Sequence, residues 1–300
     1  MDCAALHEHF RSVVTVTRFA PSPNGLLHIG HAYAAMQAHD IARSGGGRFL
    51  LRIEDIDGTR SRGELVDAIV EDLRWLGLTW DGHVTFQSQR LDLYEKALAR
   101  LQAMDLLYPC FCSRADIARA VAAEPVQVGP DGPVYPGTCR ALHRHERATR
   151  MAQEPHSLRI DMARAVSLVG KLTWQDAMAG VQHARPDLFG DVVLARKDAP
   201  ASYHLAVVVD DADQHVSDVV RGHDLFAATH VHRLLQDLLG LPAPLYRHHG
   251  LLAGRDGRKL SKSENAPSLA TLRQGGTDGP ALLAALRNNR FPAGISLIQP

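Results

Sequence analysis

Two short segments carry residue types suited to handling polyphosphate. The first is His28-Ile29-Gly30-His31, just after the turn-rich Ala20-Pro21-Ser22-Pro23-Asn24-Gly25. Histidines three apart share one helix face. A helix start offers free N–H groups and the positive end of its dipole to an anion. Gly30 leaves no side chain between the backbone and a flat ring. The glycine spacing of a dinucleotide fingerprint is missing, so a nucleoside triphosphate fits better. Alone, the tetrapeptide reads equally well as a capped core helix with two exposed histidines, in a chain holding 17 His. The second segment is Lys259-Leu260-Ser261-Lys262-Ser263, behind the turn Gly254-Arg255-Asp256-Gly257. The chain has five lysines against 28 arginines, and two of the five stand here, three residues apart. That choice points to a task for the compact ammonium rather than the planar guanidinium. Two such groups on a mobile loop can neutralise charge building on a phosphate. A basic loop by itself is usually solvated; the two segments in this order are a stronger signal.

A third group is Cys110-Phe111-Cys112 with Tyr135-Pro136-Gly137-Thr138-Cys139. Three thiolates favour a tetrahedral, structural zinc. A disulfide within Cys-x-Cys would be strained. The alternative is three cysteines buried in a small core.

The elements that must position these groups follow from hydrophobic pattern. The β-branched run 13–19 predicts a strand, 28–43 a helix stopped by Ser44-Gly45-Gly46-Gly47, and 49–53 a second strand ending at Glu54, Asp55 and Asp57. Helices fit 64–76 and 91–104. Strand, helix, strand at this spacing is a crossover unit, hence an α/β fold with a parallel sheet. From 108 to 186 the periodicity weakens around a Pro/Gly-rich loop, 124–137. Runs 192–195 and 205–209 restart the strand pattern, the second ending in Asp210-Asp211. A helix over 225–239, a glycine-rich loop over 250–263 and a mostly helical tail over 266–300, broken at Gly275-Gly276, complete the chain. The expected division is a Rossmann-like nucleotide-binding domain in two halves, 13–107 and 187–249. Residues 108–186 form the inserted metal-bearing subdomain, and 250–300 the lysine loop and tail.

Composition sets outer limits. Apolar residues are 45% and charged residues 22% of the 300, which argues against global disorder. No apolar run approaches the roughly 18 residues of a membrane span. His7, Glu8 and His9 stand where a signal peptide needs an apolar stretch. Four cysteines, with Cys3 apart from the rest, do not make a disulfide framework. The expectation is a cytoplasmic monomer without membrane partners. Net charge is zero, so any polyanion must meet local patches.

On these residues the sequence resembles the class I aminoacyl-tRNA synthetases. Arg18-Phe19-Ala20-Pro21-Ser22-Pro23-Asn24-Gly25 ahead of His28, and Arg52-Ile53-Glu54-Asp55 after it, narrow the resemblance to the glutamyl branch. Tyr203 and Val220-Arg221-Gly222-His223-Asp224 also match, while glutaminyl enzymes usually carry Glu at the place of Ser22. Similarity runs from about residue 15 to Ser263. Only 37 residues follow, against the order of 100 or more that an anticodon-binding domain needs. The expectation is therefore a truncated paralogue with no such domain.

The resemblance implies a ligase that activates L-glutamate with ATP and Mg2+, without tRNA. It then passes glutamate to the queuosine base in the anticodon of tRNA(Asp). It implies that Arg18, Phe19, Ala20, Pro21, Ser22, Glu54, Tyr203 and Arg221 hold glutamate, with Arg18 forked onto a carboxylate and Glu54 on the α-ammonium. His28, Gly30, His31 and Lys262 would hold ATP, and His28, His31, Lys259 and Lys262 would be catalytic. Tyr135 would be the fourth zinc ligand beside Cys110, Cys112 and Cys139, with His143 or His145 as substitutes. Two other readings stay open: a split or degenerate synthetase charging tRNA(Glu), and a non-catalytic glutamate or nucleotide sensor.

Overall fold

The structure is a computed structural model and describes residues 14–58, 61–124, 126–260 and 267–299. Strand β1 (Val16–Phe19) is buried along its length and pairs in parallel with β2 (Arg48–Ile53). Helix α1 (Ile29–Ser44) makes the crossover between them. Its buried residues, Ile29, Ala32, Tyr33, Ala35 and Met36 among them, recur at helical spacing, and its alanines let it lie close to the sheet. Helix α2 (Gly63–Trp75) leads to the short β3 (Thr85–Phe86), parallel to β2, and then to α3 (Leu91–Ala103).

Beyond it come β4 (Leu107–Cys110), α4 (Arg114–Ala123), the two-residue strands β5 (Val128–Gly129) and β6 (Gly132–Pro133), α5 (Arg144–Gln153), β7 (Ser157–Ile160) and α6 (Met162–Val169). A hairpin of β8 (Thr173–Asp176) and β9 (Gly180–His183) precedes β10 (Val193–Ala195). The second half holds α7 (Tyr203–Asp213), β11 (Asp218–Gly222), α8 (Ala228–Leu238) and β12 (Leu245–His249). The chain then runs through β13 (Leu251–Ala253), α9 (Leu269–Gln274), α10 (Gly279–Arg287) and β14 (Ser296–Ile298). β11 and β12 pair in parallel over five residues, and β8 joins the far side of β12. The two sheets meet at β1, where the Ser217 amide donates to the Val16 carbonyl at 3.0 Å. Helices leave the carboxyl ends of both β1 and β11, so a crevice opens between them, where α/β sheets bind ligands.

Three expectations need correction. Residues 205–209 are not a strand but the interior of α7, where Leu205, Ala206, Val207 and Val208 are all buried. A short apolar run wrapped on every side has no period to distinguish helix from strand. Pairing also ignores the expected boundary at 186: β8 belongs to the sheet of β11 and β12, whereas β10 pairs with β7 beside β4. Finally, the glycine-rich loop contains β13, and the tail ends by pairing β14 against it.

A buried knot of charge ties the halves together. The Asp211 carboxylate on α7 accepts from Arg18 Nε of β1 at 2.9 Å and from Arg52 Nη2 of β2 at 2.8 Å. Its neighbour Asp210 accepts from Arg90, Gln87 and Tyr94. Burial opposes ionisation of Asp211, but Arg18 and Arg52 outweigh it and hold its pKa below the usual carboxylate range. Removing one partner from a buried pair strands the other charge, at a cost of about 3–5 kcal/mol. Asp211→Ala is therefore expected to lower the urea midpoint by several times the change for an exposed control such as Asp92→Ala. Equal midpoints for the two variants would count against the knot as the joint of the fold.

Candidate functional site

His28 is the N-cap of α1: its Nδ1 accepts from the Gly30 amide at 3.1 Å. His31 returns the bond, its Nδ1 accepting from the His28 amide at 3.1 Å. The two rings thus close a reciprocal capping box. An imidazole whose Nδ1 accepts carries its proton on Nε2, a donor suited to phosphate oxygen. Gly30 is required here, because a Cβ would stand 2.9 Å from His28 Cε1 and push the cap away.

These residues open onto a cavity of about 360 Å³, closed on its other sides by Gly222, Asp224, residues 249–252 and Lys259. Lys259 forms an ion pair with Asp224 at its rim. Backbone bridges hold the flanks of the lysine segment against it: Ala253 with Lys259 on one side, His28 with Ser268 on the other. Lys262, Ser261 and Ser263 lie outside the described residues, as does Cys3.

A second cavity, of about 380 Å³, lies at the carboxyl ends of β1, β2 and β11. All eight residues expected around glutamate line it. Arg18, only 4% exposed, is forked onto a carboxylate, but that carboxylate is the protein's own Asp211, which offsets the cost of burying the charge. Arg221 makes no ion pair among the described residues; its partners are His248, His232, Tyr203, Thr229 and the Leu225 carbonyl. Glu54 sits behind the first turn of the pocket, its amide donating to the Pro21 carbonyl at 3.1 Å. Burial pushes the Glu54 carboxyl up to about 7, against the pull of Arg52 and Arg18, with Asp211 and Asp210 adding to the rise.

The two cavities share His31, Ala34 and Gly222 as a common wall. At Gly222 a Cβ would meet Asp224 Oδ1 at 2.5 Å and Leu251 Cδ2 at 2.7 Å, so a larger residue there would have to displace both side chains. Sequence reasoning gave no role to Asp211 or Asp224, although both stand in segments it singled out, and it missed His232 and His248. The acidic pair after the apolar run at 205–209 was the available signal for Asp211; nothing in the sequence singles out these histidines among seventeen.

The cysteine group gathers as well. Cys110, Cys112 and Cys139 place their sulfurs within 4.8 Å of one another. The Tyr135 hydroxyl stands 3.4 Å from Cys110 Sγ and 3.5 Å from Cys112 Sγ, facing the same space. Three soft donors with an oxygen alongside fit a metal ion. His143 and His145 are exposed and neither joins the cluster.

The family described as "tRNA synthetases class I (E and Q), catalytic domain" matches residues 14–292. The chain belongs to the class I aminoacyl-tRNA synthetases, in the glutamate and glutamine branch, a family of ligases. It is 50% identical over 267 residues to the glutamyl-Q tRNA(Asp) synthetase of Rhodobacter capsulatus, covering 87% of this chain and 95% of that one. It is 45% identical over 278 residues to the enzyme of the same name from Symbiobacterium thermophilum, covering 90% and 84%. The crystal structure of glutamate-tRNA synthetase from Elizabethkingia anophelis superposes with a TM-score of 0.76 at 25% identity, over 91% of this chain but only 61% of that one. No helix among the described residues is long and apolar enough to cross a membrane.

The raised Glu54 carboxyl has a thermodynamic consequence. A carboxyl whose folded pKa exceeds its unfolded value supports the fold at low pH and loses that contribution as pH rises, here between about 4.5 and about 7. Glu54→Gln is expected to melt above wild type at pH 8 and together with it near pH 4. A gap in melting temperature that stayed constant with pH would contradict the assignment.

Proposed function

We propose that the chain activates L-glutamate with ATP and passes it to the queuosine base in the anticodon of tRNA(Asp). The observation that carries this reading is the pair of adjoining cavities. One has a guanidinium without an ion pair among the described residues, Arg221, and a carboxyl, Glu54, suited to the side-chain carboxylate and the ammonium of glutamate; the other has the histidine-capped helix start suited to polyphosphate. Because the two cavities share a wall, this reading has the α-carboxylate in the first meet the α-phosphate in the second across it. The relatives named glutamyl-Q tRNA(Asp) synthetase support the choice of acceptor.

In the proposed reaction the glutamate α-carboxylate attacks the α-phosphate of ATP, and pyrophosphate leaves. No protein nucleophile is needed; the work is positioning and charge neutralisation. Glu54 takes the α-ammonium, and Arg221 with Tyr203 takes the side-chain carboxylate. Arg18, already neutralised by Asp211, acts behind them as part of the wall. His28 and His31 donate Nε2–H to phosphate oxygens, Gly30 lets the adenine ring approach, and Lys259 and Lys262 neutralise the phosphates, to which ATP brings Mg2+. An acyl acceptor hydroxyl on the cyclopentene ring of queuosine then displaces AMP. A base splayed from an anticodon loop can enter such a pocket, recognised by stacking and edge contacts. We place a zinc ion on Cys110, Cys112, Cys139 and Tyr135, where it would fasten β4 to the loop before α5 and take no part in the chemistry.

Glutamate-dependent exchange of pyrophosphate into ATP should proceed without tRNA. Labelled glutamate should then transfer to tRNA(Asp) carrying queuosine and not to tRNA(Glu). Exchange that strictly required tRNA, or equal labelling of unmodified tRNA(Asp), would refute the reading.

Protein prepared without chelators should also carry about one zinc, the stoichiometry of one tetrahedral site. Cys110→Ser should lower metal content and the stability of the insertion more than it lowers ATP binding. Metal-free protein of full stability would rule the zinc out.

A further inference from the structure

Arg221 is the cation of the second cavity that no acidic side chain neutralises among the described residues, and what holds it instead is unusual. Its Nε–H points at His248 Nε2 at 3.1 Å, and its Nη1 lies 3.1 Å from His232 Nδ1. Nη2 donates to Thr229 Oγ1 at 2.7 Å and to the Leu225 carbonyl at 3.1 Å. The guanidinium also lies over the ring of Tyr246, 5.2 Å from its centroid. An arginine only donates, so each of these partners must present a lone pair.

For the histidines this fixes the tautomer. His248 must be bare at Nε2, and its Nδ1–H goes to Asp176 Oδ2 at 2.8 Å. Asp176 is itself pinned, its Oδ1 accepting the amides of Met178 and Ala179 at 2.8 and 2.9 Å in the turn between β8 and β9. His232 must be bare at Nδ1, so its Nε2–H faces His204 Nδ1 at 3.2 Å. Burial, with Arg221 beside it, pushes His248 down to about 4, and both His204 and His232 are depressed likewise. The imidazoles are thus neutral acceptors at physiological pH. Trp174, Phe226 and Tyr246 pack their rings around His248 and leave little room for water to replace it.

We infer that Asp176 and His248, with His232 and His204 on the other side, are positioning residues that aim Arg221 while leaving its charge unspent for a substrate carboxylate. A carboxylate in contact would have aimed the fork equally well, but would have cancelled the charge that distinguishes glutamate from its neutral amide. The aspartate is instead set one imidazole away, close enough to fix the tautomer and too far to form an ion pair. The inference rests on the proposed reading of this cavity as the glutamate site.

Asp176→Asn provides the test. The amide oxygen can keep both backbone bonds of the turn, while its NH2 faces His248 Nδ1. The ring must then carry its proton on Nε2, pressed against the Arg221 Nε–H. Reversing a tautomer in this way removes function while preserving shape. In the tRNA-independent exchange assay with the whole protein, the KM for glutamate should rise about tenfold or more, the scale of one hydrogen bond to a charged group. The KM for ATP and kcat should stay within about threefold, and the preference for glutamate over glutamine should fall.

His248→Gln, which can still offer an oxygen to Arg221, should retain a near-normal KM for glutamate, and His248→Phe should lose it. Adding Asp176→Asn to His248→Gln should change little further, because the aspartate acts through the ring. Arg221→Ala separates the two readings. If it abolishes glutamate use while Asp176→Asn and His248→Phe leave the glutamate KM unchanged, the positioning role is overturned and the glutamate site stands. If Arg221→Ala leaves glutamate use intact, the site reading falls and takes this inference with it. If Asp176→Asn fails to fold, the contrast between His248→Gln and His248→Phe decides alone, and equal KM values for those two overturn the inference.

Discussion

One carboxylate, Asp211, sits between two buried guanidinium groups, and the site is built around it. Arg52 is fully buried and Arg18 nearly so, and Asp211 supplies the counter-charge that offsets the cost of burying them. Because the arginines come from β1 and β2 and the aspartate from α7, that pairing brings the first helix of the second half against the first two strands. The same helix begins at Tyr203, so the element that neutralises the arginines also sets a wall of the second cavity. Glu54, one residue beyond β2, is pushed up mainly by burial, with Arg52 and Arg18 of the same knot opposing the rise and Asp211 and Asp210 adding to it.

The parts of the fold legible in the sequence are those with strong punctuation. α1 has a proline-rich turn before it and three glycines after it, and it begins within one residue of the expected place. The Cys-x-Cys group was readable because short spacing forces proximity: Cys110 and Cys112 cannot be far apart, and only Cys139 had to be brought in by folding. α7 was misread because its interior is apolar on every face, and its two aspartates, which look like the exposed end of a strand, are buried among arginines. The lining of the second cavity came from motif resemblance; the groups that orient it did not. His248 and Asp176 lie 72 residues apart and meet only because β12 runs beside β8. A long-range hydrogen bond of that kind leaves no local trace in composition or period.

Zero net charge conceals strong local contrasts. Arg18 and Arg52 spend their charge inside the protein, Lys259 shares its charge with Asp224 at a solvent-facing rim, and Arg221 shares its charge with no acid among the described residues. Fields at this scale depend on pairing, not on the total. A cavity of mostly neutralised cations with one unneutralised cation can hold a carboxylate without attracting every anion in solution.

The partition of His31, Ala34 and Gly222 bears on what happens between the two proposed half-reactions. Once a mixed anhydride joins the occupants of the two cavities, it is a bidentate ligand. Release of one end leaves the other in place, at an effective concentration set by a tether of a few bonds. Such a species leaves far more slowly than either occupant alone. A reactive acyl group could then be held until a scarce acceptor arrives. By the same arithmetic, a stable mimic long enough to bridge the partition would bind more tightly than either half.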